Sequence, residues 1–333
     1  MNRKICMPAV LAFVISQTAW AQGDGTPIVD QTPEGIKKAN TALIAKIRPL
    51  IDAKKPLSRD EVKKRLLEPE PQTIALLPVK QEPLSREDVA TVARAANLRV
   101  GYCYLCEKCN DWHLNLAGGY PVAPDVIATC DHVIDSSTKM REGYLVVADQ
   151  EGNAYPVTSV IARSATMDAA LIRVEGADFK PLALNGKVAQ GASAYCYSSP
   201  LGQLGYFSEG IVNRFLWDRT YKGGDKNALD VARHLRVNFS TDRAPGSSGS
   251  AVLDQAGNVI GHVSQIAGLS GGRNKEAMIT LHTGIPAHAV RVLAEAAGDA
   301  GKIKELADLE AREKEGKGAK VDEERGVIFF GGE

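Results

Sequence analysis

The sequence predicts an all-β core, either a barrel or a sandwich, preceded by a helical extension and closed by a helix. Three observations carry this expectation. From about Asn97 to Val263 the chain consists of short runs rich in Val, Ile, Tyr and Thr, such as "LRVGYCYL", "GYLVVAD", "AALIRV" and "ASAYCYS", bounded by Gly, Pro, Asn and Asp. Before this region, Ile36, Ala39, Leu43, Ile47 and Leu50 recur at helical spacing. After it, "IPAHAVRVLAEAAG" has Pro286 near its first turn and Gly298 at its end, the usual start and stop of a helix.

Taken in order, the first 21 residues read as a signal peptide: Arg3 and Lys4, an apolar stretch to Ile15, and a small-x-small ending at Ala19-Trp20-Ala21. Cleavage is expected after Ala21. Gln17 and Thr18 interrupt the apolar stretch, and about 20 continuous apolar residues are needed to span a bilayer, so no stable membrane insertion is expected after cleavage. The mature chain is therefore expected to be secreted or periplasmic, where disulfides persist.

Residues 22–95 form the helical extension, with a kink or break expected at Pro49. "PLSRDEV" at 56–62 and "PLSREDV" at 83–89 each put a serine three residues before an acid, the capping-box pattern that opens a helix. The proline-rich stretch between them reads as linker. The extension is either a packed structural element or a removable, inhibitory pro-segment. Residues 96–297 carry the β-rich domain, and 298–333 form a charged tail with a second helix near 302–315 and a strand-like "GVIFF" at 326–330. That last piece could add a strand to its own barrel or to a partner's sheet edge.

A formal net charge of zero offers no global basic field for nucleic acid. Chemistry must come from local groups, and "RAPGSSGSAVLD" presents two serines in a glycine frame. A serine nucleophile needs a base, an acid that orients the base, and N–H donors for the developing oxyanion. "DVIATCDHVI" supplies His132 just after a strand, and "SATMDAALIRV" supplies Asp168 just before one. Asp131 touches His132 in sequence, but adjacent side chains in an extended or tight-turn segment diverge. The order His132, Asp168, Ser248 excludes the α/β-hydrolase arrangement, which runs serine, acid, histidine.

Thr129-x-x-His132, Asp168-Ala-Ala-Leu171 and Gly246-Ser-Ser248-Gly249, with "SSPLG" and "SEGIV" between them, resemble the trypsin-like serine peptidases, most like the bacterial secreted and Deg-type branch. The resemblance covers residues 96–297. It implies a chymotrypsin-like pair of packed six-stranded β-barrels with His132, Asp168 and Ser248 in the cleft between them. It also implies an oxyanion hole from the N–H groups of Gly246 and Ser248, a polypeptide substrate, and no cofactor. Ser247 is then the variable residue before the nucleophile.

The same resemblance lines the substrate pocket with the segment before the nucleophile and with Ser264, Gln265 and Ile266. Asp242 stands six residues before Ser248, where trypsin keeps the acid that binds Lys or Arg; the alternative is a structural aspartate partnered by Arg243. Only the charged tail follows the peptidase region, so the peptide-binding domain usual in Deg-type proteins has no counterpart.

Five cysteines remain after the signal: Cys103, Cys106, Cys109, Cys130 and Cys196. Local disulfides with one free thiol are the expectation for an exported chain; tetrahedral zinc held by Cys103, Cys106, Cys109 and His113 is the alternative. Two functions follow: an exported serine endopeptidase, or a catalytically silent protein of the same fold that binds partners.

Overall fold

The computed structural model describes residues 28–67, 71–221, 223, 227–270, 277–316 and 327–329. The expected signal peptide at 1–21 lies outside them. Among the described residues, no helix is long and apolar enough to cross a membrane.

Two antiparallel barrels form the core. The first is closed by β1 (Leu98–Leu105), β2 (Trp112–Ala123), β3 (Val126–Thr129), β6 (Ala169–Val174), β5 (Ala154–Ser164) and β4 (Glu142–Ala148), in that spatial order. The second runs β10 (Ala251–Leu253), β7 (Ser193–Ser198), β8 (Tyr206–Trp217), β9 (Leu235–Phe239), β12 (Ala277–Pro286) and β11 (Val259–Ser270), and the β10–β11 pairing closes it. Closure removes the sheet edges that would otherwise invite association. Each barrel is lined by β-branched and other apolar side chains, Val100, Leu145, Val160 and Ile172 in the first and Val212, Val237, Val252 and Ile260 in the second, all without exposed surface. β2 and β12 are strands that the sequence pattern missed, because "LAGGYPVA" and "LHTGIP" break the β-branched texture with Gly and Pro. The "GVIFF" strand appears as β13 (Val327–Phe329), paired antiparallel to β11 at Ala267–Leu269.

The extension folds as α1 (Pro33–Asp52), α2 (Arg59–Leu67) and α3 (Arg86–Ala96). α1 stays helical through Pro49, against the expected break. Proline there removes one N–H in the last turn, while Leu43, Ile47 and Ile51 bury against Cys103, Val146 and Ala148 of the first barrel and hold the turn in place. Both predicted caps form: Ser58 N–H donates to Glu61 at 2.8 Å, and Asp88 N–H to Ser85 Oγ at 3.1 Å. The linker is anchored as well, with Gln72 N–H on Ala297 O at 2.6 Å and Leu84 N–H on Gln255 O at 2.8 Å. The extension thus binds both barrels by backbone hydrogen bonds.

At the other end, α6 (Ala287–Ala296) and α7 (Ala300–Gly316) follow the second barrel. Ile303 and Leu306 of α7 join the largest apolar cluster, which also holds residues of both barrels such as Tyr120, Leu171, Tyr195 and Ile285. The charged composition of the tail conceals this apolar stripe.

Candidate active site

β3 ends at Thr129, and the next residues turn into the short helix α4 (Asp131–Ile134), which carries His132. Its ring nitrogen Nδ1 lies 2.9 and 3.0 Å from the two carboxylate oxygens of Asp168, and its backbone N–H donates to the same carboxylate at 3.2 Å. The His132 side chain is 50% exposed while that of Asp168 is 10% exposed, so the imidazole bridges a buried acid and solvent. Burial works against charge on His132, but the hydrogen bond and charge of Asp168 outweigh it and raise its pKa. For Asp168, burial opposes ionisation, and hydrogen bonds from His132 and Ser264 hold its pKa below the usual carboxylate value.

Asp168 is over-determined. It sits at φ +57°, a left-handed conformation that aspartate tolerates better than most residues. Ser264 Oγ donates to its Oδ2 at 2.5 Å, and buried His262 meets its carbonyl oxygen through Nε2 at 3.2 Å. Burial pushes the His262 pKa down to about 4, so the ring is neutral. Its Nε2–H donates to Asp168 and its Nδ1 accepts from the Tyr120 hydroxyl, 3.3 Å away. His262 and Ser264 are two apart on β11, hence on one face of the strand. In the sequence, only the H-x-S alternation at His262 and Ser264 signals that the two residues share a face.

Asp131, the rival acid, turns away from His132 and forms a bidentate pair with Arg163. Desolvation dominates its surroundings and raises its pKa to about 6 in spite of that partner.

The two serines separate cleanly. Ser247 is fully buried, with Oγ donating to Ser198 Oγ at 3.1 Å. Ser248 is half-buried, and its carbonyl accepts from Gly118 N–H at 2.6 Å, which ties the turn to β2 of the other barrel. The following glycine, Gly249 at φ +81°, passes so close that a Cβ there would meet Gly118 O at 2.3 Å and Cys130 N at 3.1 Å. Gly246 adopts φ +97°, where a Cβ would meet Ser199 O at 2.8 Å. Only glycine fits either place. Among the described residues, the N–H groups of Gly246 and Ser248 donate to no protein acceptor, whereas the Ser247 N–H between them is used by Ala244 O at 3.0 Å. No hydrogen bond joins Ser248 Oγ to His132.

Residues 117–261 match the family model of the trypsin-like peptidase domain. No curated protein matches the sequence. The matched stretch begins at β2 and ends within β11, so it spans His132, Asp168 and Ser248 and stops just short of Ser264.

Beyond these residues the structure departs from expectation in two respects. Asp242 is exposed and accepts from the Tyr206 hydroxyl at 2.9 Å; it forms no ion pair with Arg243. Arg243 is the buried one, 6% exposed, with its guanidinium 3.5 Å from Thr283 O and 3.3 Å from Thr241 Oγ1 and with Nε unpartnered. Gln265 is exposed and Ile266 half-buried, and they pair with Thr283 and His282 of β12. The second departure concerns sulfur. Disulfides were expected, yet all five cysteines are free thiols. Cys103 is buried on the face of β1 that packs against α1, Cys130 is buried at the start of α4, and Cys196 is buried in the second barrel.

Proposed function

We propose that this peptidase domain is an exported serine endopeptidase in which Ser248 attacks the scissile carbonyl. His132 accepts the hydroxyl proton and returns it to the leaving amine, while Asp168 fixes the Nδ1–H tautomer and stabilises the imidazolium. The N–H groups of Gly246 and Ser248 receive the oxyanion, and water then hydrolyses the acyl-enzyme. The observation that carries this reading is the chain of hydrogen bonds from Ser264 through Asp168 to His132, ending beside a turn with two unengaged N–H donors. A catalytically silent binding protein is the second reading, favoured by the missing Ser248–His132 hydrogen bond; in unliganded enzymes that contact often forms only on substrate binding. A fluorophosphonate probe decides between them. A single adduct on Ser248, absent in Ser248→Ala, supports the enzyme, and no adduct on the folded protein supports the silent scaffold.

The same reading extends to substrate choice. Arg243 is a buried cation five residues before Ser248, with no carboxylate partner among the described residues. Burial lowers its pKa to about 10, so it stays charged at neutral pH. His282 stands beside it, its Nδ1–H donating to Thr241 O at 2.7 Å. An uncompensated buried guanidinium favours an incoming carboxylate. We therefore expect cleavage after Glu or Asp, tested with a peptide series that varies only this position. Faster cleavage after Lys or Arg would refute it.

A further inference from the structure

The tip of the first hairpin gathers three metal-ligand side chains that peptide hydrolysis does not use. β1 and β2 stay in register to Tyr104↔His113 and Leu105↔Trp112. Beyond them, Cys106 N–H donates to Asp111 O at 3.0 Å and closes the loop. Inside the loop, Lys108 N–H donates to Cys106 Sγ at 3.4 Å, and the Cys109 N–H points to the same sulfur. Asn110 adopts φ +59° and turns the chain back toward β2; asparagine is among the few residues that do so at low cost. As a result the ligand atoms of Cys106, Cys109 and His113 all lie within 4.8 Å of one another, with Cys109 Sγ 3.0 Å from His113 Nε2.

We propose that Cys106, Cys109 and His113 bind one Zn²⁺, with the fourth position open to water or another donor. Two thiolates and one imidazole are a set that zinc prefers, at about 2.3 Å to sulfur and about 2.0–2.1 Å to nitrogen. Tetrahedral angles at those lengths put sulfur and nitrogen about 3.5 Å apart, so the present Cys109–His113 contact opens by roughly half an ångström to admit the ion. Backbone N–H groups aimed at Cys106 Sγ supply the outer support that thiolate ligands receive. Cys103 is excluded: it faces the other side of β1, fully buried against α1. A Cys106–Cys109 disulfide would use only two of the three converging groups. Binding releases the two thiol protons to solvent and changes no oxidation state.

The ion would clip the open end of β2, five residues before Gly118, whose N–H holds the Ser248 carbonyl. The test is metal content of the full-length secreted chain, purified without chelator, with cobalt substitution as a spectroscopic readout. The proposal expects about one zinc per chain and, after exchange, a thiolate-to-cobalt charge-transfer band. Cys106→Ser with Cys109→Ser should drop bound metal at least tenfold, and His113→Asn should weaken it, while Cys103→Ala retains it. Circular dichroism checks that each variant is folded. A folded wild-type protein without zinc that gives no cobalt band, a mapped Cys106–Cys109 disulfide, or metal that persists in the double variant would each overturn it.

Discussion

Removing the Glu310 carboxylate should loosen the turn that presents Asp168. Glu310 lies on α7 and reaches across to that turn: it accepts from Ser164 Oγ, and from Thr166 N–H and Oγ1, each at 3.1 Å. It also accepts from Arg233 Nε at 3.2 Å. The Arg233 side chain is 1% exposed and that of Glu310 15% exposed, so these are largely desolvated contacts. Breaking a buried pair by removing one partner costs about 3–5 kcal/mol. Arg233 keeps Asp230 at 3.4 Å and Glu313 at 3.2 Å, which puts Glu310→Ala at the lower end, about 3 kcal/mol. If about half of that appears as disorder of the turn within the folded enzyme, kcat falls roughly tenfold, because each 1.4 kcal/mol is a factor of ten. KM should stay constant, since Glu310 acts through Asp168 and touches no substrate. Urea unfolding and steady-state kinetics on the preferred peptide measure both effects, with exposed Asp308→Ala as a control expected within about 0.5 kcal/mol of wild type. A Glu310→Ala protein with unchanged stability and unchanged kcat would refute the idea that the C-terminal helix braces the active site.

Other outcomes follow from the same contacts. Because the His132 pKa is raised, kcat/KM should climb with a midpoint above 6.5, and Asp168→Asn should lower both the rate and that midpoint. The stability that His132 contributes is full below its unfolded pKa and lost as pH rises through the folded one. That of Asp168, whose pKa is lowered, is present above its unfolded value and lost on acidification, so urea midpoints of wild type and Asp168→Asn should converge at low pH. Arg243→Met should abolish the preference for acidic residues and raise the melting temperature, since it removes a buried unpaired charge; a lower melting temperature would make Arg243 a structural residue. Deleting residues 22–95 should lower stability without raising activity, as the helices and linker are bonded into both barrels; a more active truncated protein would establish an inhibitory pro-segment.

The sequence by itself determined the local pieces of this protein. The quoted strand runs, the two capping boxes and the closing helix depend on neighbouring residues, and these formed within a residue or two of the expected place, as with "LRVGYCYL" at β1. His132, Asp168 and Gly246 to Gly249 were legible because each sits in a short motif whose backbone demands are local. Tertiary structure decided what long-range packing alone can set. A one-residue difference in which side chain turns inward exposes Asp242 and buries Arg243, and on this the proposed preference for acidic residues rests. His262, Ser264 and Glu310 converge on one turn from 94, 96 and 146 residues away in the chain, distances over which no pattern in the sequence links them. The hairpin cysteines stood between these cases: their spacing announced a cluster, and only the alternation of β1, which turns Cys103 toward α1, reduced it to Cys106, Cys109 and His113.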